Sequence, residues 1–100
     1  MELKIRSTLF TKIANGEKKS TSRLGERDMK VGEALVFRAT DDENLVYNTT
    51  VDSVKVCKFS DITSEDANLE GYSSLEEMTD SLKAVYDFDE NSMFTLIRFK

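Results

Sequence analysis

The segment Lys18–Arg23 groups the side chains in this chain that are best suited to bond-breaking chemistry. Three hydroxyl residues, Ser20, Thr21 and Ser22, lie between cationic residues. A lysine that is buried or close to other positive charges loses its proton near neutral pH and can act as a general base. A hydroxyl becomes a nucleophile when such a base removes its proton. The segment therefore suggests a lysine-activated hydroxyl; a solvated edge strand explains the same residue types without any chemistry.

Other catalytic groups are scarce. The chain has no histidine, which excludes imidazole bases, Ser–His pairs and histidine-ligated metals. Cys57, the only cysteine, lies in an apolar alternation and is expected to be a partly buried, unreactive thiol. The run Asp87–Asn91 begins like a calcium loop, but Ser92 replaces the required glycine and Arg98 the required glutamate. We therefore expect neither a metal nor a cofactor.

Length and charge limit the class of protein. The 100 residues fit one domain, 1–100, and 39% hydrophobic with 33% charged residues is typical of a globular protein. No apolar run is long enough for a signal peptide or a membrane span, so we expect a cytoplasmic protein. Residues 1–38 carry nine basic and five acidic residues, against five and fourteen in 39–100. The acidic half would repel long nucleic acids, which favours a nucleoside ligand over a duplex.

The hydrophobic pattern indicates the elements that position Lys18–Arg23. We predict a strand near Leu3–Arg6, followed by a helix that Ser7 caps and Gly16 ends. The stripe of this helix consists of Leu9, Phe10 and Ile13. A short strand over 19–23 follows, with polar side chains on both of its faces.

The remainder of the chain predicts a curled sheet with helices packed on it. We predict an alternating strand around Leu35–Ala39 and then a strand with a bulge near Asp52 and Ser53. A helix capped by Thr63 follows, then a helix that opens at Ser73, and finally a strand Met93–Phe99. The stripe of the helix that opens at Ser73 consists of Leu75, Met78, Leu82, Val85 and Tyr86. This order predicts an α+β fold with a small, barrel-like, mostly antiparallel sheet and about three helices.

Several segments resemble one known family. Gly16, Lys18 and Arg23 form the pattern G-x-K-x-x-x-x-R, which resembles the signature of the ASCH domain, a PUA-like fold. The later segments VGEALVF and FSDITSEDANLEGYSS resemble further parts of the same family. The resemblance covers essentially the whole chain and is strongest to the small bacterial N(4)-acetylcytidine amidohydrolases.

The resemblance implies roles for individual residues. It places the catalytic lysine, threonine and glutamate of those amidohydrolases on Lys18, Thr21 and Glu70. The implied reaction is attack of the threonine oxygen on the acetamide carbonyl, with the lysine as base and the glutamate helping to deliver a proton to the leaving amine. Arg23 would either stabilise the oxyanion or pair with a carboxylate. Ser20 and Ser22 replace apolar residues of the relatives and are expected to bind substrate.

Strand geometry and the wider family leave alternatives open. In a flat strand Lys18 would face Ser20 and Ser22, so it can reach Thr21 only if the backbone bends near Lys18 or Lys19. ASCH domains are also linked with RNA, which allows an RNA-binding module or a ribonuclease-like member that uses the same basic groove. The expected partner is a small modified nucleoside, with RNA as the alternative and no membrane, and the expected state is a monomer.

Overall fold

The computed structural model describes residues 1–100 as five strands, three α-helices and one short 3₁₀-helix. In chain order these are β1 (Glu2–Ile5), α1 (Leu9–Ala14), β2 (Ser20–Leu24), β3 (Ala34–Ala39), β4 (Val46–Lys58), the 3₁₀-helix Phe59–Asp61, α2 (Ser64–Leu69), α3 (Leu75–Lys83) and β5 (Met93–Phe99). None of the helices is long and apolar enough to cross a bilayer. The predicted α+β class and its three helices are confirmed.

The five strands form one curled sheet in the order β1-β3-β4-β5-β2. The β1–β3 pair is parallel and the other three pairs are antiparallel. The long strand β4 takes part in both halves of the sheet, and its register against β5 shifts between Val51 and Ser53. This shift confirms the predicted bulge near Asp52, and the resulting bend is what lets one strand serve both halves of a half-barrel.

Hydrophobic residues pack into two cores because helices cover both faces of β5. The first core lies under α1 and contains Leu3, Ile5, Ile13, Met29, Leu35, Phe37, Val51, Ile97 and Phe99. The second lies under α2 and α3 and contains Ile62, Ala67, Met78, Leu82, Phe88, Phe94 and Leu96. Successive residues of a strand point to opposite faces, so β5 alternates between the two cores.

Two of the predicted helix starts are shifted by one residue. Thr8, not Ser7, precedes α1, and its side chain makes no capping hydrogen bond. The Ser7 hydroxyl instead donates to Asp41 at 2.6 Å. Ser74 caps α3 by accepting from the Glu77 amide, while the Ser73 hydroxyl binds the Glu77 carboxylate. In both cases the hydroxyl of the predicted cap, Ser7 or Ser73, binds a carboxylate instead of capping the helix.

Two further predictions concern the cap of α2 and the length of α3. Thr63 caps α2 through a reciprocal pair of hydrogen bonds with Asp66, as predicted. The stripe predicted for α3 is too long, because the helix ends at Lys83 and leaves Val85 and Tyr86 beyond it. Val85 and Tyr86 line the neighbouring cleft.

Candidate active site

Two glycines shape the backbone that carries Lys18. Gly16 follows α1 with φ +82°, a left-handed conformation that favours glycine and turns the chain toward β2. The Lys18 amide then donates to Lys12 O at 3.0 Å, and the Lys19 amide donates to Leu69 O at 2.6 Å. Gly71 has φ +92°, and a Cβ added there would lie 3.6 Å from Lys18 Cβ. The start of β2 is thus fixed against the end of α2.

The hydroxyl residues of β2 are buried although β2 is an edge strand. Ser20, Thr21 and Ser22 are only 5%, 3% and 3% exposed, so the solvated-strand interpretation is wrong. Thr21 pairs with Ile97 of β5 and Ser22 with Leu96. Because directly opposed residues of antiparallel strands share a face, Thr21 points to the face of the first core and Ser22 to that of the second. The two adjacent hydroxyls therefore meet different partners.

Lys18 has the environment of a lysine that can act as a base. It is 4% exposed, and its Nζ donates to Ser20 O at 2.8 Å and to Glu70 O at 3.4 Å. Burial lowers the pKa of Lys18 to about 8, with Arg23 and Lys12 adding to the effect and Glu70 opposing it. A neutral amine has two N–H donors and one lone pair. With both donors occupied by main-chain carbonyls, the lone pair is free to accept a proton.

Glu70 forms the C-terminal cap of α2 and is 4% exposed. Its Oε1 accepts a hydrogen bond of 3.0 Å from Ser22 Oγ, whereas its Oε2 has no partner. Burial raises the pKa of Glu70, and the charge of Lys18 and the Ser22 hydroxyl oppose that rise. No ion pair joins the carboxylate to Lys18 or Arg23, which leaves Oε2 available to a ligand.

Arg23 binds oxygen atoms other than carboxylates. Its Nη1 donates to Thr21 Oγ1 and to Ser22 O, both at 2.8 Å, and its Nη2 donates to Lys4 O at 3.3 Å. The expected alternative of a carboxylate partner is thus wrong. Lys4 belongs to β1, so Arg23 bridges the gap between β1 and β2, the two edge strands of the half-barrel. The guanidinium also brings a positive charge next to Thr21 Oγ1.

A cleft of about 480 Å³ opens beside these side chains. It is lined by Lys4, Ile5, Arg6, Thr8, Leu9, Lys18, Thr21, Ser22, Arg23, Thr40, Glu70, Tyr72, Ser81, Leu82, Val85 and Tyr86. Its volume is within the range of small-molecule sites and suits a ligand of nucleoside size. The lining combines basic side chains from and just after β1, Lys4 and Arg6, with aromatic and apolar side chains from the α3 region.

The predicted site residues are largely brought together, with two exceptions. Lys18, Thr21, Ser22, Arg23 and Glu70 all line the cleft, whereas the side chain of Ser20 does not. No hydrogen bond joins Lys18 Nζ to Thr21 Oγ1, because Lys18 lies before the first residue of β2 and binds Ser20 O instead.

The sequence did not identify two aromatic residues of the cleft. Tyr72 and Tyr86 line it; helical spacing had placed Tyr86 on the stripe of α3, and no pattern had assigned Tyr72. The Tyr72 hydroxyl donates to Ser81 Oγ at 2.9 Å, which holds this wall together. The position of Tyr72 directly after Glu70 and Gly71 was the signal that could have placed it in the site.

Metal and thiol chemistry have little support in the structure. No three acidic or cysteine side chains converge as metal ligands would. Cys57 is partly buried, as expected, and burial raises the pKa of its thiol. A raised pKa keeps the thiol protonated at neutral pH and hence poorly nucleophilic.

Comparisons with known proteins identify the family. A family model described as the ASCH domain matches residues 2–100. The crystal structure of an ASCH domain from Lactobacillus crispatus is similar with a TM-score of 0.78 at 22% identity, covering 93% of this chain and 69% of that one. The protein EF3133 from Enterococcus faecalis gives a TM-score of 0.69 at 14% identity, with the same coverage of both chains.

A third solved structure has a similar length. The hypothetical protein PH0355 matches with a TM-score of 0.72 at 18% identity, covering 99% of this chain and 95% of that one. No curated protein shows significant sequence similarity to the chain. At these identities the solved structures establish the fold and leave the chemistry to be argued from the site.

Proposed function

The chain belongs to the ASCH domain family, and from this premise we propose that it is an amidohydrolase that removes the acetyl group from N(4)-acetylcytidine or a related acylated nucleoside. The observation that carries the proposal is Lys18, which is buried, has a pKa of about 8 and holds both of its donors against main-chain carbonyls beside the hydroxyls of β2. A buried lysine without a carboxylate partner is costly for a fold, and base catalysis gives a reason for it.

The first half of the proposed reaction forms an acyl-enzyme. Neutral Lys18 removes the Thr21 hydroxyl proton as Thr21 Oγ1 attacks the acetamide carbonyl carbon. The Arg23 guanidinium, which already binds Thr21 Oγ1, lowers the energy of the developing negative charge. Contact between Lys18 and Thr21 tightens when substrate binds, since catalytic hydrogen bonds are often incomplete in unliganded sites.

The second half releases the amine and then the acid. The proton that Lys18 took from Thr21 passes to Glu70 Oε2 and from there to N4 of cytosine as the carbon–nitrogen bond breaks. Water then attacks the carbonyl carbon of the acyl-threonine and gives a proton to Lys18. As the ester bond breaks, Lys18 returns that proton to Thr21 Oγ1, and acetate leaves after cytidine. Glu70 acts here as a carboxylate that first collects the proton and then donates it.

The cleft supports a small substrate. Tyr72 and Tyr86 offer ring surfaces to a nucleobase, and the volume of about 480 Å³ holds a nucleoside but no folded RNA. We further propose that the protein acts as a monomer, because every residue assigned to the reaction comes from one chain.

One observation favours a second candidate, an RNA-binding module that uses the same groove. Lys4 and Arg6 line the cleft, are exposed and make no ion pair. Two unpaired cations beside an aromatic wall are suited to a phosphate and a stacked base of single-stranded RNA. Such binding would be weakened strongly by salt.

One assay separates the two candidates. The purified protein is incubated with N(4)-acetylcytidine, and released cytidine is measured for the unaltered chain, for Lys18→Ala and for Lys19→Ala. Lys19 is the adjacent, exposed lysine and serves as the matched control. We expect cytidine from the unaltered chain and from Lys19→Ala but none from Lys18→Ala. Tight, sequence-selective RNA binding at physiological salt without deacylation would support the binding module instead.

A further inference from the structure

The carboxylate of Glu70 is held asymmetrically. Ser22 Oγ donates to Oε1 at 3.0 Å, and this is the only hydrogen bond that the carboxylate makes. Oε2 is buried without a partner and is the only such side-chain nitrogen or oxygen in the chain. Buried polar atoms are nearly always paired, so an unpaired oxygen at the wall of a cleft suggests that its partner is a ligand.

No other side chain near Glu70 forms a hydrogen bond that would orient its carboxylate. Lys18 precedes β2 and binds the main-chain oxygen of Glu70, not its carboxylate. Arg23, farther along β2, donates to Thr21, Ser22 and Lys4. On the α2 side, Asp66 binds Thr63 and Lys55, and the Tyr72 hydroxyl donates to Ser81. The direction of the carboxylate therefore depends on Ser22.

We propose that Ser22 is a positioning residue that holds Oε1 of Glu70 and thereby makes Oε2 the single oxygen that exchanges a proton with the leaving amine. This inference rests on the proposed amidohydrolase function. In each turnover Oε2 gains the proton that Lys18 took from Thr21 and loses it to N4 as the carbon–nitrogen bond breaks. The Ser22 hydroxyl keeps its own proton throughout, so Ser22 neither attacks nor binds the substrate.

Charge and burial predict the direction in which the pKa of Glu70 changes when the Ser22 hydroxyl is removed. A hydroxyl that donates to a carboxylate stabilises the ionised form and so lowers the pKa of that carboxyl. Ser22 acts in this sense on Glu70, against the opposite effect of burial. Lys18 and Arg23 also favour the carboxylate, and Asp66 disfavours it. Loss of the Ser22 hydroxyl alone should therefore move the titration of Glu70 to higher pH.

The first arm of the test measures this titration directly. The ¹³C signal of the Glu70 carboxyl is followed against pH by NMR in the unaltered protein and in Ser22→Ala, Ser22→Thr and Ser20→Ala. Ser20 is a buried serine of the same strand whose side chain makes no bond to Glu70, which makes it a matched control. We expect a midpoint at higher pH in Ser22→Ala only, with Ser22→Thr restoring the original value. An unchanged midpoint in Ser22→Ala would overturn the proposal.

The second arm uses turnover of N(4)-acetylcytidine. Ser22→Ala should lower kcat by about tenfold, the effect of losing one hydrogen bond to a charged group, while KM changes little. Ser22→Thr should recover most of kcat. Mass spectrometry of the trapped acyl-enzyme should place the acyl group on Thr21; an acyl group on Ser22 would overturn the positioning role. If the unaltered protein shows no turnover, the proposed function fails, while the NMR arm still decides whether Ser22 controls Glu70.

Discussion

The neighbouring strands β2 and β5 are both buried and are paired residue by residue, yet their compositions are opposite. In β5 the side chains of Phe94, Leu96, Ile97 and Phe99 alternate between the two cores. In β2 the residues opposite Leu96 and Ile97 are the hydroxyl residues Ser22 and Thr21, and Arg23 lies opposite Thr95. Burial therefore serves stability in β5, where the buried area is apolar, and serves chemistry in and just before β2, where desolvation changes the basicity of Lys18.

The comparison shows how a small domain can tolerate an unfavourable strand. The hydroxyls of Thr21 and Ser22 and the Arg23 guanidinium make hydrogen bonds, whereas Lys18 and Glu70 are buried without an ion pair. Such groups cost stability, and the apolar strand beside them together with both cores offsets that cost. Substitutions in the two strands should accordingly affect different properties.

The largest expected effect is on turnover and comes from the polar side. Lys18→Met and Thr21→Ala should each lower kcat on N(4)-acetylcytidine by about 10²–10⁴-fold, because base and nucleophile act as a unit. The double variant should be hardly slower than either single one. Steady-state kinetics with purified variants checks this, and normal turnover by Thr21→Ala would assign the nucleophile to another residue.

The largest expected effect on stability comes from the apolar side. Phe94→Ala removes a fully buried ring of the second core and should lower the free energy of unfolding by about 3–5 kcal/mol. Thr21→Val, a change of similar shape on β2, should lower it by no more than about 1.5 kcal/mol. Urea unfolding monitored by circular dichroism measures both, and equal losses would contradict the division of roles between the strands.

A gain in stability is expected when the buried cation is removed. The pKa of Lys18 falls from 10.5 to about 8 on folding, so the unfolded chain binds more protons between these values and the unaltered protein becomes more stable as pH rises through that window. Lys18→Met lacks this penalty and should be more stable at pH 7 by up to about 3 kcal/mol. The advantage should be complete below about pH 8 and should vanish above pH 10.5. Unfolding measured across this range checks the prediction, and no gain at pH 7 would show that burial of Lys18 costs little.

The smallest expected effect is the dependence of turnover on pH. If neutral Lys18 is the base, kcat should rise with a midpoint near pH 8 and then level off. This corresponds to a gain of about tenfold between pH 7 and pH 9. The profile is measured after correction for spontaneous hydrolysis of the substrate. A flat profile would exclude Lys18 as the titrating base.

The fold was largely predictable because its signals are local. Alternation in β3, the capping pair Thr63 and Asp66 and the change of parity near Asp52 each depend on neighbouring residues. The helix starts at Ser7 and Ser73 were misplaced because these hydroxyls bind carboxylates, that of the distant Asp41 and that of Glu77 within α3. The contact with Asp41 joins residues far apart in sequence, so local propensity contains no information about it.

The site was predictable in composition but not in its contacts. The resemblance placed Lys18, Thr21 and Glu70, and the structure brings all three to one cleft. That Ser22 faces Glu70 while Thr21 faces Arg23 follows from the register against β5, which joins segments far apart in sequence. Tyr86 was assigned to the stripe of α3 because spacing alone does not distinguish a cleft wall from a packed interior.

The pairing of β2 with β5 also has a consequence for biosynthesis. The strand Ser20–Leu24 emerges from the ribosome well before its hydrogen-bonding partner Met93–Phe99. Long-range pairing of this kind is slow, because the intervening chain must be ordered before the contact forms. A nascent chain that still lacks β5 therefore has β2 exposed and its lysine in water, with an ordinary basicity. Acquisition of the shifted lysine thus waits for synthesis of β5, so the chemistry is withheld from chains that do not yet contain this strand.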